Sequence, residues 1–266
     1  MGFTFAEGET VSKVLAVIPA RYASSRFPGK ALADLAGAPL VVRVAEQATR
    51  MQTVDRVIVA TDDTRIHRTV TQAGFECEMT GDHPTGTDRV GEVLQRNPAD
   101  IVVNLQGDEP LLDPADADRL VGALNRDVDL LSVDLATLAH PFDDPRQWRD
   151  PNVVKVLLDQ KGQALYFSRA PIPGAFPAHG AAAVERGAQL ALRHVGVYAF
   201  KAEALAHFLV LPRGPLEEAE GLEQLRALEN CMTIRVVQID NRPVGVDTAA
   251  DLEEVRRRWL ALHTEE

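Results

Sequence analysis

Residues 14–30 read VLAVIPARYASSRFPGK. Val14–Ile18 is a short apolar run without a polar face, and Pro19 follows it. Such a run is too brief for a helix, and apolarity on both sides suits a strand covered on both faces of a sheet. Runs of the same kind return at Arg56–Ala60 (RVIVA) and Asp100–Leu105 (DIVVNL). Between them lie segments of helical period: Ala38–Met51, with Leu40, Val44 and Ala48 on one face, then Thr64–Ala73 and Thr87–Arg96. Phe75–Met79 and Leu130–Leu138 read as further strands, and Pro114–Leu124 as a helix. Strands alternating with helices predict an α/β fold, a doubly wound and mostly parallel sheet with right-handed crossovers.

The pattern changes after residue 140. Val153–Leu158, Ala164–Phe167 and Ala191–Phe200 are strand-like, and Pro171–Gly187 is rich in Pro, Gly and Ala and reads as an exposed loop. Helical period returns at Leu216–Leu228, Thr233–Ile239 is a strand, and Ala249–Leu262 is an amphipathic helix. The expected organisation is an α/β core over 13–140, a smaller strand-rich inserted subdomain over 141–200, and a return to the core over 201–266.

The chain has 266 residues, 45% hydrophobic and 25% charged, which is enough to bury a large core. Its net charge of -11 argues against binding nucleic acid or an anionic membrane surface. Cys77 and Cys231 fit no metal-ligand spacing and read as reduced core thiols of a cytoplasmic protein. Residues 1–12 lack the apolar run of a signal peptide, and no stretch is long and apolar enough to span a bilayer.

Three cations, Arg21, Arg26 and Lys30, crowd the loop after the first strand. A solvated basic loop would look the same, but loops at the carboxyl ends of parallel strands are where open α/β sheets bind ligands. A triphosphate would supply the matching charge, with Arg gripping two oxygens and Lys acting as a compact charge. This is not a Walker A loop, since Ser24 and Ala31 stand where Gly and Ser or Thr are needed, and no GxGxxG occurs. The strand at 100–105 runs into Gln106-Gly107-Asp108-Glu109-Pro110, placing a carboxylate toward the same crevice. Asp247, in Gly245-Val246-Asp247-Thr248, is either a helix cap or a second carboxylate. Thr80–Arg89 (TGDHPTGTDR) is polar, turn-rich and opens a helix.

VIPARYASSRFPGK resembles the signature loop of the CMP-KDO synthetases, the 3-deoxy-manno-octulosonate cytidylyltransferases, within the sugar nucleotidyltransferases. NLQGDEP, GVDTAADL and the order of motifs from Lys13 to Leu252 are similar too. The resemblance implies a magnesium-dependent reaction of CTP with 3-deoxy-manno-octulosonate (KDO), giving CMP-KDO for lipopolysaccharide synthesis, in a homodimer. It implies that Ala20, Arg21, Arg26, Lys30, Gln106 and Asp108 meet the nucleotide, and that Asp108 and Asp247 ligate Mg²⁺. Arg21, Lys30, Asp108 and Asp247 are then the catalytic set. The HPTGTDR segment resembles the family's H-x-S-G-T-E-R motif, with Thr85 for Ser and Asp88 for Glu, and implies nucleoside contact by Gly86, Thr87 and Arg89. Arg169 in YFSRA, His194 and Tyr198 in RHVGVY, and Glu223 and Gln224 in LEQLR correspond to the sugar-acid site. Gly174 replaces the Trp common after S-R-A-x-I-P, which leaves 8-amino-KDO or a sialic acid as alternative acceptors. A non-catalytic nucleotide-binding protein is the alternative from another class, though such proteins commonly lose the carboxylates and lysine present here. A dinucleotide-dependent oxidoreductase is disfavoured by the missing glycine fingerprint.

Overall fold

In the computed structural model, residues 12–23, 26–124, 132–174 and 181–263 are described. The first strand, β1 (Val14–Ala20), is buried at every position but Pro19 because helices cover both its faces. Then come a two-residue hairpin, β2 (Asp34–Leu35) and β3 (Ala38–Pro39), helix α1 (Leu40–Ala48), β4 (Arg56–Thr61), α2 (Thr64–Gln72), β5 (Cys77–Met79), α3 (Gly86–Arg96), β6 (Ile101–Asn104) and α4 (Pro114–Leu124). The remainder is β7 (Leu135–His140), α5 (Pro145–Arg149), β8 (Lys155–Leu158), β9 (Ala164–Ser168), α6 (Ala181–Leu190), β10 (Leu192–Lys201), α7 (Ala202–Val210), α8 (Pro215–Glu220), α9 (Gln224–Glu229), β11 (Ile234–Gln238) and α10 (Ala249–His263).

One sheet runs in the order β11-β7-β10-β6-β1-β4-β5, with β8 on β10 and β9 on β8. The pairs β6–β1, β1–β4, β4–β5 and β11–β7 are parallel. β10 lies antiparallel to β6, β7 and β8, so the sheet is mixed but keeps its parallel centre. Alternation along β1 sends Val14, Ala16 and Ile18 into one core with α1, α2 and α4. Leu15 and Val17 enter the opposite core with α3, α7 and α9. A third cluster clamps α10 to the rest: Val246, Leu252, Val255 and Trp259 pack on Leu35 and Leu40. Among the described residues no helix is long and apolar enough to cross a membrane.

Four local expectations need correction. Of the two cysteines expected in the core, Cys231 is exposed and Cys77 only half-buried. The segment 216–228 is two helices, because Gly221 adopts φ +61° and caps α8 in the left-handed region. The expected loop over 171–187 contains the start of α6, whose AAAVER opening has high helix propensity; residues 175–180 lie outside the described ones. The strand expected at 130–138 runs from Leu135 to His140, and 130–131 lie outside the described residues.

Candidate active site

Four strands point their carboxyl ends the same way, and their following loops build one crevice. The loop after β1 is pinched at its neck, where Gly29 N–H donates to the Tyr22 carbonyl (3.0 Å). Gly29 sits at φ +74°, a turn that side-chain-bearing residues resist. Lys30 then begins a 3₁₀ turn, and its ammonium aims at the loop after β6. There Lys30 Nζ lies 2.6 Å from Asp108 Oδ2 and 3.7 Å from Asp247 Oδ1. Arg26 reaches the same Asp247 oxygen at 3.0 Å. Two segments distant in the chain therefore meet at one ammonium.

Backbone contacts hold this arrangement. Val246 N–H donates to the Asp108 carbonyl (2.9 Å), tying the two acidic segments together. A Cβ on Gly107 would stand 3.0 Å from the Pro19 carbonyl oxygen, so the acidic turn approaches the β1 loop as closely as glycine permits. At α10, Asp251 accepts from the Thr248 backbone (2.8 Å) and Thr248 Oγ1 accepts from Asp251 N–H (3.2 Å). That reciprocal capping box satisfies the helix start and leaves the Asp247 carboxylate for Arg26 and Lys30.

A cavity of about 460 Å³ opens here, walled by Ala20, Arg21, Arg26 and Lys30, by Gln106–Asp108 and Asp247, and by His83–Gly86 with Arg89. Arg21 is exposed at its edge and makes no hydrogen bond or ion pair among the described residues. Arg89 is 3% exposed and held by Asp62 (3.1 Å), the Gly81 carbonyl (3.3 Å) and Thr80. Thr85 caps α3 through a capping box with Asp88, and Gly86 lies against Pro19. Thr87 is outside the cavity wall: its hydroxyl donates to Glu223 Oε2 (2.7 Å) and accepts from Asn104 (3.3 Å). His83 Nε2 meets Glu92 Oε2 at 2.5 Å, and this bond, with the Gly81 N–H, holds the Glu92 carboxyl below its ordinary range.

Glu109 follows Asp108 in the acidic turn but lies outside the cavity wall. Burial, then the neighbouring Asp108 charge, push its carboxyl up to about 8, and its Oε2 has no hydrogen-bond partner among the described residues. The sequence offers no sign of this, since the side chain's enclosure depends on Gly245 passing over it.

The five residues matched to a sugar site lie beside this cavity rather than in its wall. His194 stacks edge-on to Phe167 (5.0 Å) and near Tyr198 (5.6 Å), and its Nε2 lies 2.9 Å from Thr137 Oγ1. Burial depresses His194 to about 3, so the ring is neutral. Burial, and then the charge of Glu223, raise the Tyr198 hydroxyl. Glu223 is itself raised by burial, against its bond from Thr87, and its Oε1 has no hydrogen-bond partner among the described residues. Gln224 is buried. The Arg169 guanidinium is engaged with backbone carbonyls, Glu220 at 2.8 Å and Pro151 at 3.2 Å. Thus Tyr198, His194, Glu223 and Thr87 are contiguous, and Arg169 joins them through the end of α8.

Known proteins resemble the chain over most of its length. Residues 15–234 match the family model described as Cytidylyltransferase. A 3-deoxy-manno-octulosonate cytidylyltransferase of Syntrophotalea carbinolica is 48% identical over 253 residues, covering 94% of this chain and 99% of the relative. One from Anaeromyxobacter sp. strain K is 50% identical over 245 residues, covering 91% and 96%. The solved CMP:2-keto-3-deoxy-manno-octonic acid synthetase complexed with CTP superposes with a TM-score of 0.85 at 40% identity, covering 94% of this chain and 100% of that one. A 4-diphosphocytidyl-2C-methyl-D-erythritol synthase from Anaerococcus prevotii shares the fold alone (TM-score 0.61, 13% identity, covering 94% and 96%). With its mixed α/β sheet and its charged crevice, the chain belongs to the nucleotidyltransferases of the 3-deoxy-manno-octulosonate cytidylyltransferase family.

Proposed function

We propose that the protein transfers the cytidylyl group of CTP to the anomeric hydroxyl of 3-deoxy-manno-octulosonate and releases pyrophosphate. The observation that carries this is Lys30 seated between Asp108 and Asp247 in a cavity also lined by Arg21 and Arg26. In the step, the sugar oxygen forms a bond to the α-phosphorus, the bond to the β-phosphate bridging oxygen breaks to free pyrophosphate, and the hydroxyl proton passes to solvent water. No covalent enzyme intermediate is needed, only alignment and stabilisation of charge on the phosphoryl oxygens. Arg21, uncommitted at the mouth, and Arg26 and Lys30, which can exchange aspartate oxygens for phosphate oxygens, would hold the triphosphate and stabilise the leaving pyrophosphate. Gln106 and the wall from His83 to Gly86 would orient the nucleoside.

Asp108 and Asp247 fit a magnesium ion: both present oxygens to one point, now served by the Lys30 ammonium, and Mg²⁺ usually takes one or two carboxylates besides phosphate and water. Bound there, Mg²⁺ would supply positive charge that polarises the α-phosphate and acidifies the hydroxyl. The contiguous set of Tyr198, His194 and Glu223, with Gln224 and Arg169, would receive the sugar acid. Homodimerisation belongs to the same proposal: β9 is an edge strand whose Leu165 is 61% exposed, and a monomer in light scattering would overturn it. So do a cytoplasmic location and supply of the product to lipopolysaccharide synthesis.

The deciding experiment measures pyrophosphate release with CTP, UTP, ATP and GTP against a panel of 2-keto sugar acids. Turnover is expected with CTP and the eight-carbon acid in Mg²⁺. CTP binding without turnover on any acid would leave a non-catalytic nucleotide-binding protein instead, and preference for a nine-carbon acid would change the acceptor.

A further inference from the structure

The cationic loop is closed at Tyr22 and Gly29 by a backbone hydrogen bond of 3.0 Å, with Arg26 inside that neck and Arg21 and Lys30 flanking it. The Tyr22 ring lies against that neck: a Cβ added to Gly29 would stand 3.3 Å from its Cε2, Cζ and Oη. A second element presses on the same ring. Arg65, in the first turn of α2, places its guanidinium carbon 3.4 Å from the Tyr22 ring centroid. Arg65 is not free to wander, since Asp63 accepts from its Nε (3.0 Å) and Nη2 (2.6 Å). Asp63 is in turn fixed as the N-cap of α2, accepting from Arg65 N–H and Ile66 N–H. This run of bonds starts at the carboxyl end of β4 and finishes at the neck of the cationic loop.

Neither Arg65 nor Tyr22 lines the cavity. We propose that Arg65 and Tyr22 are positioning residues: Arg65, oriented by Asp63, clamps the Tyr22 ring onto Gly29 and so sets the spacing of the cations that receive a triphosphate. The clamp acts on the loop that grips the outer phosphates, so it favours CTP over CMP. It rests on the triphosphate reading of the cavity. A planar guanidinium on an aromatic face gains from both charge and stacking, and Asp63 spares it the entropy of finding that geometry.

The test uses the whole protein and titration calorimetry with CTP and, separately, CMP, in Mg²⁺, followed by steady-state kinetics. Arg65→Gln keeps length and loses the cation. It should weaken CTP binding about two- to fivefold, leave CMP binding and the KM for the sugar acid near wild type, and raise the KM for CTP more than it lowers kcat. Tyr22→Phe keeps the ring and should behave as wild type, whereas Tyr22→Leu should repeat the Arg65→Gln effect. Arg65 is exposed, and melting temperature is read in parallel. Unchanged CTP affinity in Arg65→Gln, or equal losses for CTP and CMP, would overturn the clamp. Wild-type protein that binds neither nucleotide would instead remove the triphosphate reading and the clamp with it.

Discussion

Replacing Lys30 by methionine separates the roles of site and scaffold. The side chain is 15% exposed and serves Asp108 at 2.6 Å and Asp247 at 3.7 Å, so methionine keeps the packed stem and deletes the shared cation. Removing one preorganised electrostatic donor typically costs about 10²–10³ in kcat, or roughly 2.7–4 kcal/mol. The effect on stability should be smaller. Asp108 is 30% and Asp247 51% exposed, so solvent already screens both, and an exposed pair contributes about 1 kcal/mol at most. For a chain of this size that lowers the melting temperature by about 2–4 °C. Coupled detection of pyrophosphate gives kcat and KM, and calorimetry gives the melting temperature of the same preparation. Lys30→Arg should restore only part of the activity, because a planar fork does not reproduce a point charge placed between two carboxylates. A Lys30→Met enzyme with near-normal turnover would refute the reasoning. So would a collapse in melting temperature large enough to explain the lost activity by unfolding.

Asp108→Asn should lower turnover by about 10²–10³ while the melting temperature stays close to wild type, checked by the same two assays. Gly107→Ala should cost about 1–3 kcal/mol of stability as well as activity, because its Cβ would press on the Pro19 backbone carbonyl at 3.0 Å, seen as a shifted denaturant midpoint. His194 is held neutral, with its pKa down at about 3 against an ordinary 6.5, so below pH 6.5 the unfolded chain binds a proton that the folded chain refuses. Stability should therefore fall by about 2 kcal/mol between pH 7 and pH 5 on account of this residue. Chemical denaturation across that range should show the slope in wild type and a shallower one in His194→Asn.

The strand-and-helix order of the core was legible where one period dominated. β1, β4, β6 and α4 stand out because short apolar runs and a long amphipathic stretch leave little choice. α7 was not anticipated: AEALAHFLV follows β10 without a break, and its polar face is only Glu203 and His207, one turn apart. The expected helix across 216–228 had the right period at Leu222 and Leu225, but a left-handed glycine interrupts it and period alone does not see backbone hand. At the site, Lys30, Asp108 and Asp247 could be nominated from motifs, yet their meeting depends on topology. The same holds more strongly for Glu109 under Gly245, Glu92 on His83 and Arg65 on Tyr22. Each of these is a contact between segments whose local sequence carries no trace of the partner.

The hydrogen bond from Val246 to Asp108 joins positions separated by more than half the chain. Ribosomal synthesis proceeds from one end, so β1, its cationic loop and the acidic turn can all emerge and fold while Asp247 is still unmade. Until then Lys30 has only Asp108 to answer it, and the crevice lacks one wall. A nascent chain that has not yet reached Asp247 can hold every strand of the sheet and still lack that carboxylate. The acidic side of the crevice is thus the last part of it to be made.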